Sequence, residues 1–288
     1  MSVETAIRHA ADALGQAGAL VITAGAGMGV DSGLPDFRGD RGFWKAYPPF
    51  AMLGLSFVDL ANPAWFRRDP ALAWGFYGHR LELYRRTVPH DGFAILRRWV
   101  ERAPQGGFVF TSNVDGQFQK AGFSPSRTVE CHGSIHVLQC LHDCGVGLFS
   151  VDPCSVHVDE ATMRAREPFP SCPRCGSLAR PNILMFGDWE WDARRTEQQE
   201  RALDAWLASV SGPLVVVECG AGTAVPTVRG SSERVTRRFG GTLVRINVRE
   251  AEVPFGPHGA GNPSGISLPL GALEALRALE AAVAATSH

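Results

Sequence analysis

The chain has 288 residues, enough for one large domain or for one domain carrying an insertion. Apolar residues make up 45% and charged residues 20%, and 28 Lys+Arg against 29 Asp+Glu leave a net charge of -1. That balance argues against wholesale disorder and disfavours DNA or RNA as a ligand, since nucleic-acid binders carry a basic excess or a dense Lys/Arg run.

In chain order, Val3, Ile7, Ala10 and Leu14 fall on one face at a helical period. The run at 19–23 (ALVIT) ends in a glycine cluster and reads as a buried strand entering a tight turn. Residues 40 to 90 are rich in aromatics and proline without a strand pattern, and a helical insertion is expected at 46–90. Its aromatic stretch (Phe43, Trp44, Tyr47, Trp65, Trp74, Tyr77, Tyr84) is read as packing. A helix at 92–102 and strands at 108–111 and 128–131 follow. Residues 136–182 hold five cysteines and little apolar periodicity, and form a second expected insertion. A helix at 197–210, strands at 214–217 and 243–246, and an Ala/Leu-rich helix at 270–285 complete the series. Strands alternating with helices imply an α/β fold, a Rossmann-like doubly wound parallel sheet covered on both faces. The expected division is therefore 1–45, 91–135 and 183–288 for the sheet domain, 46–90 for the helical insertion and 136–182 for the cysteine module.

Chemistry-bearing residues sit at the ends of these strands. Gly25 and Gly27, around Ala26, let the backbone turn sharply and approach a pyrophosphate at the start of a following helix. Val30 stands where a dehydrogenase fingerprint wants its third glycine, which disfavours an ordinary hydride-transfer site. The loop continues as Ser32-Gly33-Leu34-Pro35-Asp36-Phe37-Arg38-Gly39. An aromatic such as Phe37 can cover a reactive sugar and exclude water, and Arg38 can anchor a carboxylate or phosphate. Thr111-Ser112-Asn113-Val114-Asp115 follows the second strand, and Glu130-Cys131-His132-Gly133-Ser134 follows the third. An imidazole titrates near neutral pH, which suits His132 to acid–base work. His136, four residues on, is expected to face the same way on a helix. Gly220-Ala221-Gly222-Thr223 and Ile246-Asn247-Val248-Arg249-Glu250 end the last two expected strands.

Cys140-x-x-x-Cys144 and Cys172-x-x-Cys175 have metal-ligand spacing, with 27 residues between the pairs. Four thiolates around tetrahedral zinc would staple a region with too little apolar material to fold alone. Cys154, His142 and His157 remain alternatives for one ligand. This cysteine pattern suits a reducing compartment better than a disulfide framework. No apolar run reaches the roughly 20 residues of a membrane span, and no secretory leader is visible, so a cytoplasmic protein without a membrane partner is expected. Nothing in the sequence specifies an oligomeric state.

Taken in order over almost the whole chain, these motifs resemble those of the sirtuin family. The resemblance implies a loop at Gly25, Ala26 and Gly27 that holds NAD, with Asp36, Phe37 and Arg38 shaping the nicotinamide pocket. Asn113 and Asp115, beside Ser112, would bind nicotinamide and its ribose, and His132 would be the general base. Gly220, Ala221 and Gly222 would form the nucleotide loop, and Asn247, with Val248 and Arg249, would meet the adenosine ribose. Arg180-Pro181-Asn182-Ile183-Leu184-Met185-Phe186-Gly187-Asp188 resembles the family's Phe-Gly segment. Met185, Phe186 and Gly187 would there pair with an acyl-lysine peptide as an added edge strand. The four cysteines would hold a structural Zn2+. The implied activity is NAD-dependent protein lysine deacylation, releasing nicotinamide and O-acyl-ADP-ribose, with an acylated protein as partner. Departures at Gly29, Ser112, Phe118 and 219–226 motivate a second reading, mono-ADP-ribosyl transfer or NAD hydrolysis. A third is a non-catalytic NAD sensor.

Overall fold

The computed structural model describes residues 1–36, 39–152, 154–256 and 263–286, without the side chains of 39–41 and 286. Helix α1 (Val3–Gly15) starts at Ser2, whose hydroxyl accepts the Thr5 amide at 3.2 Å. Strand β1 (Ala19–Ala24) is buried at all six residues and runs into a 3-10 turn at Ala26–Ser32, not the α-helix expected after the glycines. Five helices follow: α2 (Gly39–Ala46), α3 (Pro48–Met52), α4 (Phe57–Leu60), α5 (Trp65–Arg68) and the long α6 (Pro70–Arg86). Next come α7 (Asp91–Arg102), β2 (Gly107–Thr111), α8 (Gln117–Lys120) and β3 (Thr128–Glu130). Strands β4 (Gly133–Cys140), β5 (Leu148–Ser150), β6 (His157–Asp159), β7 (Arg164–Arg166) and β8 (Ala179–Ile183) build the cysteine-bearing part. The chain closes with α9 (Arg194–Ser209), β9 (Leu214–Cys219), α10 (Thr227–Phe239), β10 (Thr242–Ile246), β11 (Ser264–Leu268) and α11 (Ala272–Thr286).

Six strands form one sheet in the order β11-β10-β9-β1-β2-β3, every pair parallel. Side chains alternate across it. Leu20, Ile22 and Ala24 of β1 pack with Ala10 of α1, Leu96 of α7 and Leu279 of α11 on one face. Ala19 and Val21 pack with Leu207 of α9 and Val235 of α10 on the other. Both faces are therefore covered, as a parallel sheet requires. The chain leaves β1 toward β2 and β3, then returns on the other side through β9, β10 and β11. The order reverses between β1 and β9, and open α/β sheets bind ligands at such a switch point.

The register brings the strand ends level. Ala24 pairs with Thr111 and with Cys219, Thr111 with Glu130, and Cys219 with Ile246. The loops beginning at residues 25, 112, 131, 220 and 247 thus leave one edge in a single row. From β3 to β10 that row spans four strand spacings, about 19 Å.

A second core joins the helices before α7 to the cysteine-bearing strands. Phe43, Phe50, Trp74 and Tyr77 share it with Leu138, Val156, Met163 and Ala179. Helix α6 carries two glycines that make this contact possible: a Cβ on Gly75 would lie 1.9 Å from Met163 O, and one on Gly78 2.5 Å from Val156 Cγ1. The β6–β7 hairpin thereby rests on the helix backbone, and Trp74 Nε1 donates to Ala179 O at 3.1 Å. The seven aromatics read as packing lie in or against this core. No helix among the described residues is long and apolar enough to cross a membrane.

Candidate functional site

The row of loop tips is stitched together by main-chain and amide hydrogen bonds. Gly25 N–H donates to Cys219 O and Gly27 N–H to Gly220 O, both at 3.0 Å, while Gly220 N–H donates to Ile246 O at 2.9 Å. The approach between the first and fourth loops needs glycine on both sides. A Cβ on Gly25 would sit 2.8 Å from Ala221 Cα, and one on Gly220, whose φ is +63, would sit 2.4 Å from Gly27 C. The Gly25 and Gly27 amides are thus engaged by the neighbouring loop. Ala26 between them is an exposed residue, and its amide has no hydrogen-bond partner among the described residues.

On the other side, Ser112 N–H donates to Ala24 O at 3.1 Å and Asn113 Nδ2 to Gly25 O at 3.0 Å. Asp115 is buried, and its Oδ1 accepts the Gln117 amide at 2.9 Å. Burial raises its carboxyl to about 6; the Gln117 amide opposes that shift and nearby Glu130 adds to it. His132 is half-buried one residue beyond the Cys131 that follows β3, and burial lowers its imidazole below the usual value. A neutral ring at neutral pH is the form that accepts a proton. Gly133 follows with φ +78, where a Cβ would stand 2.0 Å from Asn182 O, so His132 is delivered by a turn that only glycine permits. His136 lies in β4, not on a helix, and its Nε2 pairs with Asp115 O at 3.0 Å.

At the far end, Asn247 is buried and donates from Nδ2 to Ala221 O at 2.9 Å. A cleft of about 380 Å³ opens there, bounded by Gly27, Asp36, Gly220, Asn247, Val248 and Arg249. Gly222 is not among the residues that bound it, and lies within a loop tied to Glu250 through Thr223. Phe37 and Arg38 lie outside the described residues. His90, which carries no sequence motif, supports the loop from below. Its Nε2 donates to Met28 O at 2.9 Å and its Nδ1 accepts the Gly92 amide at 3.0 Å, capping α7.

Beyond β8, Met185, Phe186 and Gly187 form a strip fixed by a fully buried ion pair. Arg180 makes two bonds to Asp188, at 2.7 and 2.9 Å, and Asp188 Oδ2 accepts the Met185 amide at 3.4 Å. Leu184 N–H donates to His132 O at 3.0 Å and Phe186 N–H to Ala61 O at 2.8 Å. The Leu184, Met185 and Phe186 amides are thus all engaged within the chain.

Cys140, Cys144, Cys172 and Cys175 bring their sulfurs within 4.8 Å of one another, with the Cys140–Cys175 and Cys144–Cys172 pairs at 3.6 and 3.5 Å. Tetrahedral zinc with bonds of about 2.3 Å wants sulfurs about 3.8 Å apart, so the four residues fit that ion. His142 is turned aside, its Nδ1 on Ser177 Oγ at 3.1 Å, and Cys154 packs against the second core. Neither Cys154, His142 nor His157 joins the cluster.

With this geometry in place, comparisons with known proteins are specific. Residues 25–210 match the model of the Sir2 family. The chain is 34% identical over 247 residues to NAD-dependent protein deacylase 2 of Pyrobaculum aerophilum, covering 85% of this chain and 86% of that protein. Among solved structures it is similar to a Sir2 homologue in complex with NAD, at TM-score 0.69 and 26% identity, covering 97% of this chain and 94% of that one. It is similar also to a mutant Sir2 homologue in complex with 2′-O-acetyl ADP ribose, at TM-score 0.67 and 26% identity, with 97% of each chain covered.

Proposed function

This chain belongs to the Sir2 family, and on that premise we propose that it is an NAD-dependent protein lysine deacylase in which His132 is the general base. The observation that carries the reading is the single row of loop ends, with His132 at one end and Asn247 at the other, across the switch point of the sheet. An extended dinucleotide laid along this row would meet each loop with a different part.

The Gly25-Ala26-Gly27 turn would take the pyrophosphate, with the Ala26 amide as its free donor. Gly220, Ala221, Gly222, Asn247, Val248 and Arg249 would take the adenosine half, and Asp36, which the resemblance puts at the nicotinamide pocket, lines that same cleft. Ser112, Asn113 and Asp115, with Phe37 and Arg38, would hold nicotinamide and its ribose. Nicotinamide leaves the ribose carbon, and the acyl oxygen of a modified lysine takes its place. His132, neutral because burial disfavours its charged form, removes a proton from a ribose hydroxyl. That oxygen then attacks the acyl carbon, and with one water the products are lysine, nicotinamide and O-acyl-ADP-ribose. The Pyrobaculum relative is named a deacylase, and one structural neighbour holds an acetylated ADP-ribose. Both support this course over NAD hydrolysis. The zinc that fits the four cysteines is structural in this reading, since four sulfurs leave no open coordination position. The Met185–Phe186–Gly187 strip would seat the acylated peptide.

The test is a mass-spectrometric product assay with NAD and a panel of acyl-lysine peptides. Peptide-dependent release of nicotinamide in step with O-acyl-ADP-ribose is expected. Nicotinamide release indifferent to peptide, or ADP-ribose bound to protein, would replace deacylation with hydrolysis or transfer.

A further inference from the structure

The turn that follows Asn247 is held by two buried arginines that lie outside the strand-end motifs. Arg229 on α10 is 8% exposed and donates from Nη2 to Glu250 O at 2.7 Å and to Glu252 O at 3.4 Å. Its Nη1 reaches Ala221 O at 3.4 Å, and stands 3.9 Å from the Glu250 carboxylate. Arg245 on β10 donates from Nη1 to Glu252 O at 2.5 Å, while Glu218 and Glu233 hold the rest of its guanidinium. On the outer side, Glu250 accepts the Thr223 hydroxyl at 2.6 Å and the Thr223 amide at 3.2 Å. Glu250 itself has φ +58, a left-handed backbone at a residue with a side chain. Such a conformation persists only where its surroundings over-determine it, and here the Arg229 guanidinium on its carbonyl and the Thr223 hydroxyl and amide on its carboxylate do so.

These contacts join two separate loops. Ala221 belongs to the loop after β9 and Glu250 to the turn after β10, and the cleft opens between the beginnings of these loops, at Gly220 and Asn247. Asn247 and Arg229 both donate to the same Ala221 carbonyl. We propose that Arg229 is a positioning residue for dinucleotide binding, clamping the 220–223 loop to the 247–252 turn and so setting the two walls that grip the adenosine half. The proposal rests on the NAD reading above. Arg229 touches no reacting atom; its effect is on binding, not on the chemical step.

Arg229→Ala, Arg229→Lys and Thr223→Val separate the possibilities, with KM for NAD, kcat at saturating NAD and acyl peptide, and calorimetric Kd for NAD as readouts. Arg229→Ala is expected to raise Kd and KM for NAD roughly tenfold, the loss of about one charge-assisted hydrogen bond, with kcat within about twofold. Lysine, which still reaches the Glu250 carbonyl as a cation, recovers part of that loss. Thr223→Val, opening the same clamp from its exposed side, moves KM in the same direction. Unchanged KM in the three variants, or a kcat loss at unchanged KM, overturns the proposal. If Arg229→Ala does not fold, wild-type KM in the other two overturns it equally. Wild type that binds no NAD sinks the functional reading and the clamp together; wild type that binds, with unaltered variants, sinks the clamp alone.

Discussion

His132 and Asp115 show how burial sets the working state of single groups. Burial lowers the His132 imidazole, so it is neutral and able to accept a proton at neutral pH. Replacing it by asparagine removes the base and leaves the backbone turn at Gly133 intact. The expected result is a loss of roughly 10²- to 10⁴-fold in kcat with NAD affinity retained, measured by steady-state turnover and calorimetry; activity within a few-fold of wild type would deny His132 that role. Asp115 bears the opposite strain. Its folded carboxyl titrates near 6 against an ordinary 3.8, because burial, opposed by the Gln117 amide and reinforced by Glu130, penalises the charge. A raised folded pKa means that the native state holds the proton more tightly, so stability falls as pH rises from about 4 to about 6. Asp115→Asn keeps an oxygen for the Gln117 amide and removes the charge. It is expected to be more stable than wild type at pH 7 by up to about 3 kcal/mol, and no more stable at pH 4, in urea titrations, while losing activity. Equal gains at both pH values would show that the buried charge is not the cause.

At the scale of elements, what the sequence made legible was whatever depends on local pattern. The β1, β2, β9 and β10 strands are short, largely apolar runs and β3 a short Thr-Val-Glu segment, each followed by motif residues, and the expected spans lie within a residue or two of the observed ones. Helix α10 has no legible period because TVRGSSERVTRRF is polar and interrupted by Gly230, and β11 has no apolar run because SGISL is five residues with two serines and a glycine. The spacing of His132 and His136 suits one face of a helix, but the chain enters β4 at Gly133 instead. The site's motif residues stand at strand ends, where sequence order reveals them. The clamp and the His90 prop come from helices and caps remote in sequence, and no local pattern announces Arg229 or His90. The cysteine cluster belongs to this scale too. Its strands are three to eight residues long and gain their hold from the α6 surface and, by the fit of their sulfurs, from zinc. One zinc per chain is expected by elemental analysis. Cys172→Ser or a strong chelator should remove it and lower the melting temperature by several degrees; a zinc-free protein of unchanged melting temperature would contradict this.

Among the described residues the packing has two parts, the two faces of the six-stranded sheet and the core that joins the helices before α7 to the cysteine-bearing strands. The segments before α7 and between β3 and α9 read as two separate insertions, yet one apolar core runs through both. Gly75 and Gly78 explain how: they bring the β6–β7 hairpin onto the α6 backbone, a contact between residues about 80 positions apart that no periodicity encodes. This second part delivers the 185–187 strip to His132 through the Leu184 amide, while the sheet supplies the row of loops. The function proposed here depends on that convergence. A crystal structure of the protein soaked with NAD tests it most directly. The account predicts pyrophosphate at Ala26, adenosine between Gly220 and Asn247, and the nicotinamide ribose facing His132. A dinucleotide bound elsewhere, or one whose ribose turns away from His132, would contradict it.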